Sequence, residues 1–213
     1  MDPRIRGDDK KGKDMSYILA IILGYLLGSI PFGLLLTRYA GLGDIRQIGS
    51  GNIGATNVLR TGRKGLAALT LILDGVKGAV AVLICEKLFP GSGALAGLAA
   101  LIGHLFPVWL KGKGGKGVAT TVGVMITLSW PVGLTIIAIW LLTAFFFRYS
   151  SLAAIVAIGL LPIYAVVFDR VDILWLTVVI VILVVAKHGD NIKRLLNKTE
   201  TKIGNAHATP GAH

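Results

Sequence analysis

The chain alternates between long apolar runs and short segments rich in glycine, lysine and arginine. A helix that crosses a membrane needs about 20 mostly apolar residues. The pattern predicts an all-α protein with seven transmembrane helices. The fourth candidate run is short and meets the fifth at Trp130–Pro131, where a proline ring ends or bends a helix, so six spans with a long bent hairpin is the alternative. The seven runs are Ser16–Thr37, Gly65–Phe89, Ser92–Leu110, Gly117–Trp130, Pro131–Tyr149, Leu152–Phe168 and Ile173–Lys187.

The composition supports a membrane protein. Hydrophobic residues make up 54% of the chain and charged residues 15%, with a mean hydropathy of +0.74. A soluble domain is about 25% charged, and a basic nucleic-acid binder is usually more polar still. The apolar content also excludes a disordered chain, and the single cysteine, Cys85, excludes an internal disulfide framework. No nucleic-acid partner is therefore expected.

Both ends of the chain are polar. Residues 1–15 and 205–213 are interpreted as tails, either tag remnants or flexible ends. The first apolar run is not expected to be a cleaved signal peptide, because it is long, lacks a small-residue cleavage site and carries Gly24 and Gly28 on a packing face. We therefore expect a single membrane domain over residues 16–204.

The charges in the loops predict the orientation. Seven spans place the termini on opposite sides of the membrane. One side holds fourteen Lys and Arg residues against three acids, a net charge of +11, whereas the other holds seven basic and seven acidic residues. Cytoplasmic loops of membrane proteins carry the excess of Lys and Arg. We therefore expect the N-terminus outside, the C-terminus in the cytoplasm and every charged motif on the cytoplasmic face.

The first of these motifs is the segment Gly49–Arg60. Its three glycines permit positive φ and close backbone approach. The same segment holds the hydroxyl of Ser50, the amides of Asn52 and Asn57, and the guanidinium of Arg60. A flexible turn is the alternative, but the length of the segment and its density of polar donors favour a binding or catalytic loop.

The second motif combines glycines and lysines and leads into the start of a helix. Such a backbone is typical of phosphate sites, where N–H groups and the positive helix end face the anion. It is not the nucleotide P-loop, because a glycine follows the last lysine. A positive-inside loop with glycines for a tight reversal is the alternative. The predicted substrate-binding residues here are Lys111, Gly112, Gly114, Gly115, Lys116 and Gly117.

The third motif is the basic segment Lys187–Lys202. His188 and Asn191 are three residues apart and therefore share one helical face. A histidine there could act as acid, base or donor to an oxyanion. A juxtamembrane basic helix that contacts anionic lipid is the alternative, and the sequence leaves both interpretations open.

Polar residues inside the apolar runs are few. Asp74 and Lys77 are spaced to pair along one helix face, as intramembrane charges usually must, and we interpret them as a structural ion pair. His104, near the inner end of the third run, is as suited to capping or packing as to reaction. The Gly24-xxx-Gly28 and Gly93-xxx-Gly97 motifs are typical of helix-packing seams.

Taken together, the motif side is cationic and nearly free of carboxylates. Only Asp44, Asp190 and Glu200 lie there, which argues against a carboxylate cage for a divalent metal. No GxSxG elbow occurs. The pattern favours a small phosphate-bearing substrate that meets a lipid at the membrane surface, without metal or cofactor. A transporter of an organic phosphate is the alternative, although no internal repeat is visible.

The segments GSGNIGATNVLR, GHLFPVWLKGKGGKGVAT and KHGDNIKRLL…KTETK resemble the three cytoplasmic motifs of the bacterial acyl-phosphate:glycerol-3-phosphate acyltransferases. SIPFG in the first run and LDGVKG in the second are similar to the same family. The resemblance covers residues 16–204. It implies that a fatty acyl phosphate donates its acyl group to the 1-hydroxyl of glycerol 3-phosphate at the bacterial inner membrane, giving lysophosphatidic acid and phosphate.

The resemblance also implies residue roles. Ser50 and Arg60 are the essential residues of the first motif, and His188 and Asn191 are the essential pair of the third. The four glycines of the second motif form the glycerol-phosphate loop, and Glu200 is needed structurally. The chain departs from the family pattern at the residue two before Glu200, where a lysine stands in place of the usual glycine. That departure puts the local turn in doubt.

From the residues themselves, we expect Lys116, its neighbouring amides and Arg60 to hold phosphates. Ser50 and Asn191 would orient the reacting groups. His188 would either deprotonate the attacking hydroxyl or stabilise the carbonyl oxyanion, and the sequence does not choose between these roles. The chain has no His-x-x-x-x-Asp arrangement, so acyl-CoA and acyl-carrier-protein donors are not expected.

Overall fold

The computed structural model describes residues 3–204, with side chains from residue 12 onward. That part of the chain forms helices and turns without a β-strand, which confirms the predicted all-α class. The polar C-terminal tail predicted above, residues 205–213, lies outside the described residues, whereas most of the predicted N-terminal tail belongs to the first helix. The helices are α1 (Pro3–Gly28), α2 (Phe32–Tyr39), α3 (Ala55–Leu59), α4 (Lys64–Leu88), α5 (Gly93–Leu105), α6 (Val118–Leu128), α7 (Trp130–Phe147), α8 (Ser150–Gly159), α9 (Leu161–Val167), α10 (Leu174–Lys187) and α11 (Gly189–Leu196).

Helix length and composition identify fewer spans than the seven apolar runs. Four segments are long and apolar enough to cross a membrane, and α8 with α9 and α10 with α11 form two bent pairs, with angles of 43° and 61°, which bring the total to six. Helix α6 has 11 residues, about 16 Å at 1.5 Å per residue, well short of a hydrocarbon core of about 30 Å. The four segments are Gly12–Tyr39, Lys64–Leu88, Gly93–Leu110 and Trp130–Phe147.

The outer surface of the bundle is apolar. Leu71, Leu83 and Ile182 are 55%, 59% and 62% exposed, and many other large apolar side chains also face outward. An apolar surface this extensive marks contact with a membrane rather than with water. The core inside it is also apolar and is built around Leu101, Met125 and other side chains of α5 to α10.

Glycines bring the helix backbones close together. A Cβ on Gly24 or Gly28 would collide with the backbone of Ala96 or Ala100 in α5. Where α4 crosses α6, a Cβ on Gly123 would overlap the carbonyl of Gly75. Small residues allow such approach between membrane helices. The seam predicted from Gly24-xxx-Gly28 is therefore confirmed.

A proline breaks the first apolar run between α1 and α2. Pro31 has no N–H group, and helical hydrogen bonding is interrupted beside it. The buried ammonium of Lys77 in α4 donates to the carbonyl of Ile30 at this break, at 2.7 Å, and to Oδ1 of Asp74, also at 2.7 Å. The structural ion pair predicted for Asp74 and Lys77 is confirmed, and it also stabilises the break.

Contacts between loops define the two ends of the bundle. At one end, Arg170 donates to the carbonyl of Leu128, so the last turn of α6 lies beside the loop after α9. At the other end, the N–H of Ile203 donates to the carbonyl of Arg148 at 2.6 Å, and the hydroxyls of Thr56 and Ser150 lie 3.2 Å apart. The loops that carry the three motifs gather at this second end.

We predict that Lys77→Met destabilises the fold by about 3–5 kcal/mol, because it leaves the Asp74 carboxylate buried without a partner. The thermal midpoint in detergent checks this, with the reactivity of the buried Cys85 thiol as the reporter of unfolding. Asp74→Leu combined with Lys77→Met should recover most of the loss. Asp172→Ala, which breaks the exposed pair with Arg170, should cost at most about 1 kcal/mol. Equal shifts for the two single variants would contradict the prediction.

Candidate active site

A cavity of about 510 Å³ opens at the motif end of the bundle. All three motifs contribute to it, together with the segment that precedes the first. Five of the lining residues are cationic and two are acidic. The lining residues are Asp44, Arg46, Gln47, Ser50, Gly51, Asn52, Lys113, Gly114, Lys116, Lys187, Asp190, Asn191 and Arg194.

The buried side chain of Asn57 organises the first motif. Its Oδ1 accepts the N–H of Ser50 at 3.0 Å, and its Nδ2 donates to the carbonyls of Ile48 at 2.8 Å and Asn52 at 2.9 Å. Gly49 and Gly51 have positive φ angles of 57° and 69°, which glycine adopts without strain. The loop therefore wraps around the Asn57 amide and presents Ser50 and Asn52 to the cavity, while Asn57 itself does not line it.

Arg60 lies behind the first loop. A Cβ on Gly49 would come within 2.9 Å of its Cδ, so glycine makes room for the arginine side chain. Within the described residues the guanidinium has no hydrogen-bond partner. Burial lowers the pKa of Arg60, and the charge of Glu200 opposes that effect. Arg60 thus approaches the Glu200 region from the first motif without lining the cavity wall.

The second motif uses its backbone differently from the sequence expectation. The N–H groups of Gly114 and Gly115 donate to the carbonyls of Leu105 and His104, and those of residues 111–113 donate to other carbonyls of the same turn. They are not available to a phosphate. In the described structure, the N–H groups of residues 116–120, at the start of α6, have no acceptor.

The glycines of this motif serve packing and turning. A Cβ on Gly115 would overlap the His104 ring, and one on Gly117, where φ is 84°, would meet Leu101 and Leu105. Lys111 is exposed and, with Gly112, lies outside the cavity. Of the six substrate-binding residues predicted in this motif, the structure places Gly114 and Lys116 on the cavity wall.

Lys116 joins the second motif to the third. Its Nζ donates to Oδ1 of Asn191 at 2.5 Å. Burial lowers the pKa of Lys116 to about 8, and the charge of Arg194 adds to the effect, whereas Glu200 opposes it. The ammonium is therefore mostly charged at neutral pH and sits in a cavity that already favours anions.

Glu200 holds the third motif in place. Its Oε1 accepts from Nδ2 of Asn191 at 2.8 Å and from the hydroxyl of Ser151 at 2.9 Å, and its Oε2 accepts from Nε of Arg194 at 2.7 Å. Burial tends to raise its pKa, but these hydrogen bonds outweigh burial and the pKa of Glu200 is lowered. The carboxylate thus connects α8 to α11 and fixes the orientation of the Asn191 amide.

His188 lies at the junction of α10 and α11 and is 2% exposed. Its Nδ1 is 2.8 Å from the carbonyl oxygen of Val184. Because a carbonyl only accepts, Nδ1 carries the proton and Nε2 offers a lone pair. Burial lowers the pKa of His188 to about 4, with a further contribution from the charge of Lys116. The imidazole is therefore neutral near pH 7, with an acceptor at Nε2.

The chain is similar to known proteins over most of its length. A family profile described as glycerol-3-phosphate acyltransferase matches residues 18–198. The chain is 62% identical over 187 residues to a glycerol-3-phosphate acyltransferase of Mesorhizobium japonicum, which covers 88% of this chain and 96% of that protein. It is 58% identical over 190 residues to the Rhodopseudomonas palustris protein of the same name, covering 88% and 96%.

This chain belongs to the glycerol-3-phosphate acyltransferase family. A crystal structure of PlsY (YgiH), an integral membrane glycerol 3-phosphate acyltransferase in its glycerol 3-phosphate form, has a TM-score of 0.83 and 39% identity to it, covering 89% of this chain and 96% of that one. The lysophosphatidic acid form has a TM-score of 0.82 and 38% identity over the same shares. The chain is therefore an acyltransferase of the membrane, and the transporter alternative is set aside.

Sequence reasoning missed several lining residues of this acyltransferase. Arg194 follows Asn191 by three residues and shares its helical face, so its presence could have been inferred from spacing. Arg46 carried no such signal, because it precedes the first motif and reaches the cavity only through the fold. Asp44 holds the Arg46 guanidinium through both carboxylate oxygens, and this contact keeps the pKa of Asp44 well below its usual range.

The departure from the family pattern before Glu200 leaves the turn intact. Lys198 has a φ of 57°, the left-handed conformation for which glycine is suited. The N–H of Thr199 donates to the carbonyl of Arg194 at 2.8 Å, which closes the end of α11. The lysine therefore adopts the glycine conformation, at a cost of about 1–2 kcal/mol for a side-chain-bearing residue.

We predict that Lys198→Gly raises the stability of this acyltransferase by about 1 kcal/mol, because it relieves the left-handed strain. The thermal midpoint in detergent checks the direction. Lys193→Gly, in the interior of α11, is the matched control and should lower stability by about 1 kcal/mol. A loss of stability in Lys198→Gly would show that the left-handed conformation of Lys198 is not strained.

Proposed function

We propose that this acyltransferase moves a fatty acyl group from an acyl phosphate to the 1-hydroxyl of glycerol 3-phosphate, at the cytoplasmic face of a bacterial inner membrane. The products are lysophosphatidic acid and phosphate. The observation that carries the proposal is the cavity itself: Ser50, Lys116 and Asn191 line it together with further cations. Two phosphate-bearing substrates need such a cationic cavity, and the donor chain needs the apolar helix surface beside it.

Lys116 and the free N–H groups at the start of α6 bind the phosphate of glycerol 3-phosphate in this proposal. The ammonium supplies a charge, and the helix end supplies aligned donors. Arg194 and Arg46 add positive potential from the walls. Asn57, by contrast, shapes the first loop through its own hydrogen bonds and acts as a positioning residue rather than as a substrate contact.

His188 accepts a hydrogen bond from the attacking hydroxyl in this scheme. With the proton on Nδ1, its Nε2 has none to donate, which favours this role over stabilisation of the oxyanion. With a pKa of about 4 the imidazole is a weak base, so the role of His188 is to orient the hydroxyl. The proton of the hydroxyl passes to the departing phosphate, which leaves as hydrogen phosphate.

Positioning supplies most of the catalysis. An acyl phosphate is a mixed anhydride, so its phosphate leaves as the new ester bond forms. Holding the two reactants in line is worth about 7–11 kcal/mol in favourable cases. Ser50, in the first loop, and Asn191, in α11, both line the cavity and can orient the acyl carbonyl and the acceptor. No cofactor enters this scheme.

We propose seven membrane crossings, with the N-terminus outside. Support comes from α6, which starts at the cavity and ends beside Arg170 at the opposite end of the bundle despite its 11 residues. The excess of Lys and Arg at the motif end supports a cytoplasmic cavity. In Cys85→Ser protein, a cysteine at Lys198 should be protected from an impermeant thiol reagent added to intact cells, and one at Asp172 should react. The reverse pattern would contradict this orientation.

Purified protein in lipid should convert glycerol 3-phosphate and palmitoyl phosphate into lysophosphatidic acid and phosphate. Palmitoyl-CoA in place of palmitoyl phosphate should give no product. Ser50→Ala, Arg60→Ala and His188→Ala should each lower turnover by about 100-fold, with Cys85 still protected from thiol reagents. Arg63→Ala, which removes an exposed cation near Arg60, is the matched control and should retain activity. Equal use of palmitoyl-CoA would contradict the donor assignment.

The affinity for glycerol 3-phosphate should fall as the pH rises through about 8, because the free enzyme loses the charge of Lys116 there. The bound anion raises this pKa, so kcat should hold to higher pH than kcat/KM. KM should therefore rise about tenfold per pH unit above this limit. Lys116→Arg keeps its charge and should remove the rise. A rise that persists unchanged in this variant would assign it to another group.

A further inference from the structure

His104 lies in the last turn of α5 and is not used by the scheme above. It is buried, and its Nδ1 lies 3.7 Å from Oδ1 of Asp74, beyond hydrogen-bond distance. Within the described residues this nitrogen has no hydrogen-bond partner. A buried polar atom without a partner costs stability. Stability alone therefore does not account for a histidine at this place.

The other side of the His104 ring supports the second motif. The imidazole Nε2 and Cε1 occupy the space that a Cβ on Gly115 would need, so the Gly115 backbone lies directly against the ring. The carbonyl of His104 also accepts the N–H of Gly115 at 3.0 Å. The ring and the carbonyl of His104 together fix the distance between this loop and the end of α5.

Lys116 follows Gly115 immediately. A planar peptide unit joins them, so a shift of Gly115 moves the Cα of Lys116 almost rigidly. The Lys116 ammonium is at the same time held 2.5 Å from Asn191 in the cavity. The contact between His104 and Gly115 therefore bears directly on the position of the cation.

Asp74 anchors both sides of this loop. On one side its carboxylate faces His104, and Lys77 holds it in place at 2.7 Å. On the other side its backbone carbonyl accepts the hydroxyl of Thr120, in the first turn of α6, at 3.0 Å. Asp74 of α4 therefore lies against residues on both sides of the loop between α5 and α6.

We propose that His104 is a positioning residue that sets the place of Lys116 in the cavity through its contact with Gly115. This inference rests on the proposed role of Lys116 in binding the acceptor phosphate. In this role the His104 ring fills the space between Asp74 and Gly115 and makes no contact with substrate. Without the His104 ring, the loop moves toward α5 and draws the Lys116 ammonium away from its place in the cavity.

The test compares KM for glycerol 3-phosphate among variants in the same lipid. His104→Ala should raise KM by about tenfold or more, since small misplacements of a binding group carry costs of this order. His104→Gln, whose amide reaches the same space, should recover most of the affinity. Tyr164→Phe, which removes another buried polar atom without a partner, should leave KM unchanged. An unchanged KM in folded His104→Ala protein would overturn the proposal.

The Lys116→Ala background distinguishes positioning from general damage. If His104 acts through Lys116, adding His104→Ala to Lys116→Ala should raise KM no further. Effects that multiply in the double variant would overturn the proposal. If the Cys85 thiol becomes reactive in His104→Ala protein, that variant has unfolded and Gly115→Ala is used in its place. The Cβ of the new alanine displaces the loop from the His104 ring. This variant should show the same rise in KM, and no rise would again overturn the proposal.

Amide hydrogen exchange supplies a readout without turnover. The segment 113–117 should exchange faster in His104→Ala than in wild type or Tyr164→Phe, because the loop has lost its support. Unchanged exchange in that segment would overturn the positioning role. Wild-type protein that forms no lysophosphatidic acid would refute the proposed function, and the exchange comparison would still decide whether His104 holds the loop.

Discussion

The hydrogen bond between the Lys116 ammonium and Oδ1 of Asn191 joins the loop before α6 to helix α11, two walls of the cavity that are separate in the sequence. Each partner is held from behind. Glu200 fixes the Asn191 amide, and the backbone of Gly115 lies against His104 just before Lys116. A polar network whose members are all oriented is rigid, which is what a site that works by positioning requires.

The membrane environment explains why so many buried polar contacts surround so few reacting groups. Backbone polar groups inside a bilayer must be satisfied within the protein. The break at Pro31 is therefore capped by Lys77, and the charge of Lys77 is paired with Asp74. That same pair stands under the second motif. The Asp74–Lys77 pair that stabilises the break in the first helix thus also lies beside His104, which supports the loop that carries Lys116.

Periodicity and composition predicted the all-α membrane fold and the gathering of the motifs at one end. Resemblance supplied the roles of Ser50 and Asn191. Sequence could not show that the N–H groups of Gly114 and Gly115 are used by α5, because a glycine-rich segment looks the same whether it faces a ligand or a helix end. Nor could it place Arg46 in the cavity, since tertiary packing alone brings that residue there.

We propose that the cavity, and not the general positive charge of the loops, binds glycerol 3-phosphate. Lys116 and Lys111 lie on the same loop and carry the same charge, but only Lys116 lines the cavity. Calorimetric titration of glycerol 3-phosphate into protein in lipid nanodiscs tests the claim. Lys116→Ala should weaken binding by about ten- to a hundredfold, the scale of a charge-assisted hydrogen bond, and Lys111→Ala should leave it nearly unchanged. Equal losses for the two variants would contradict the account.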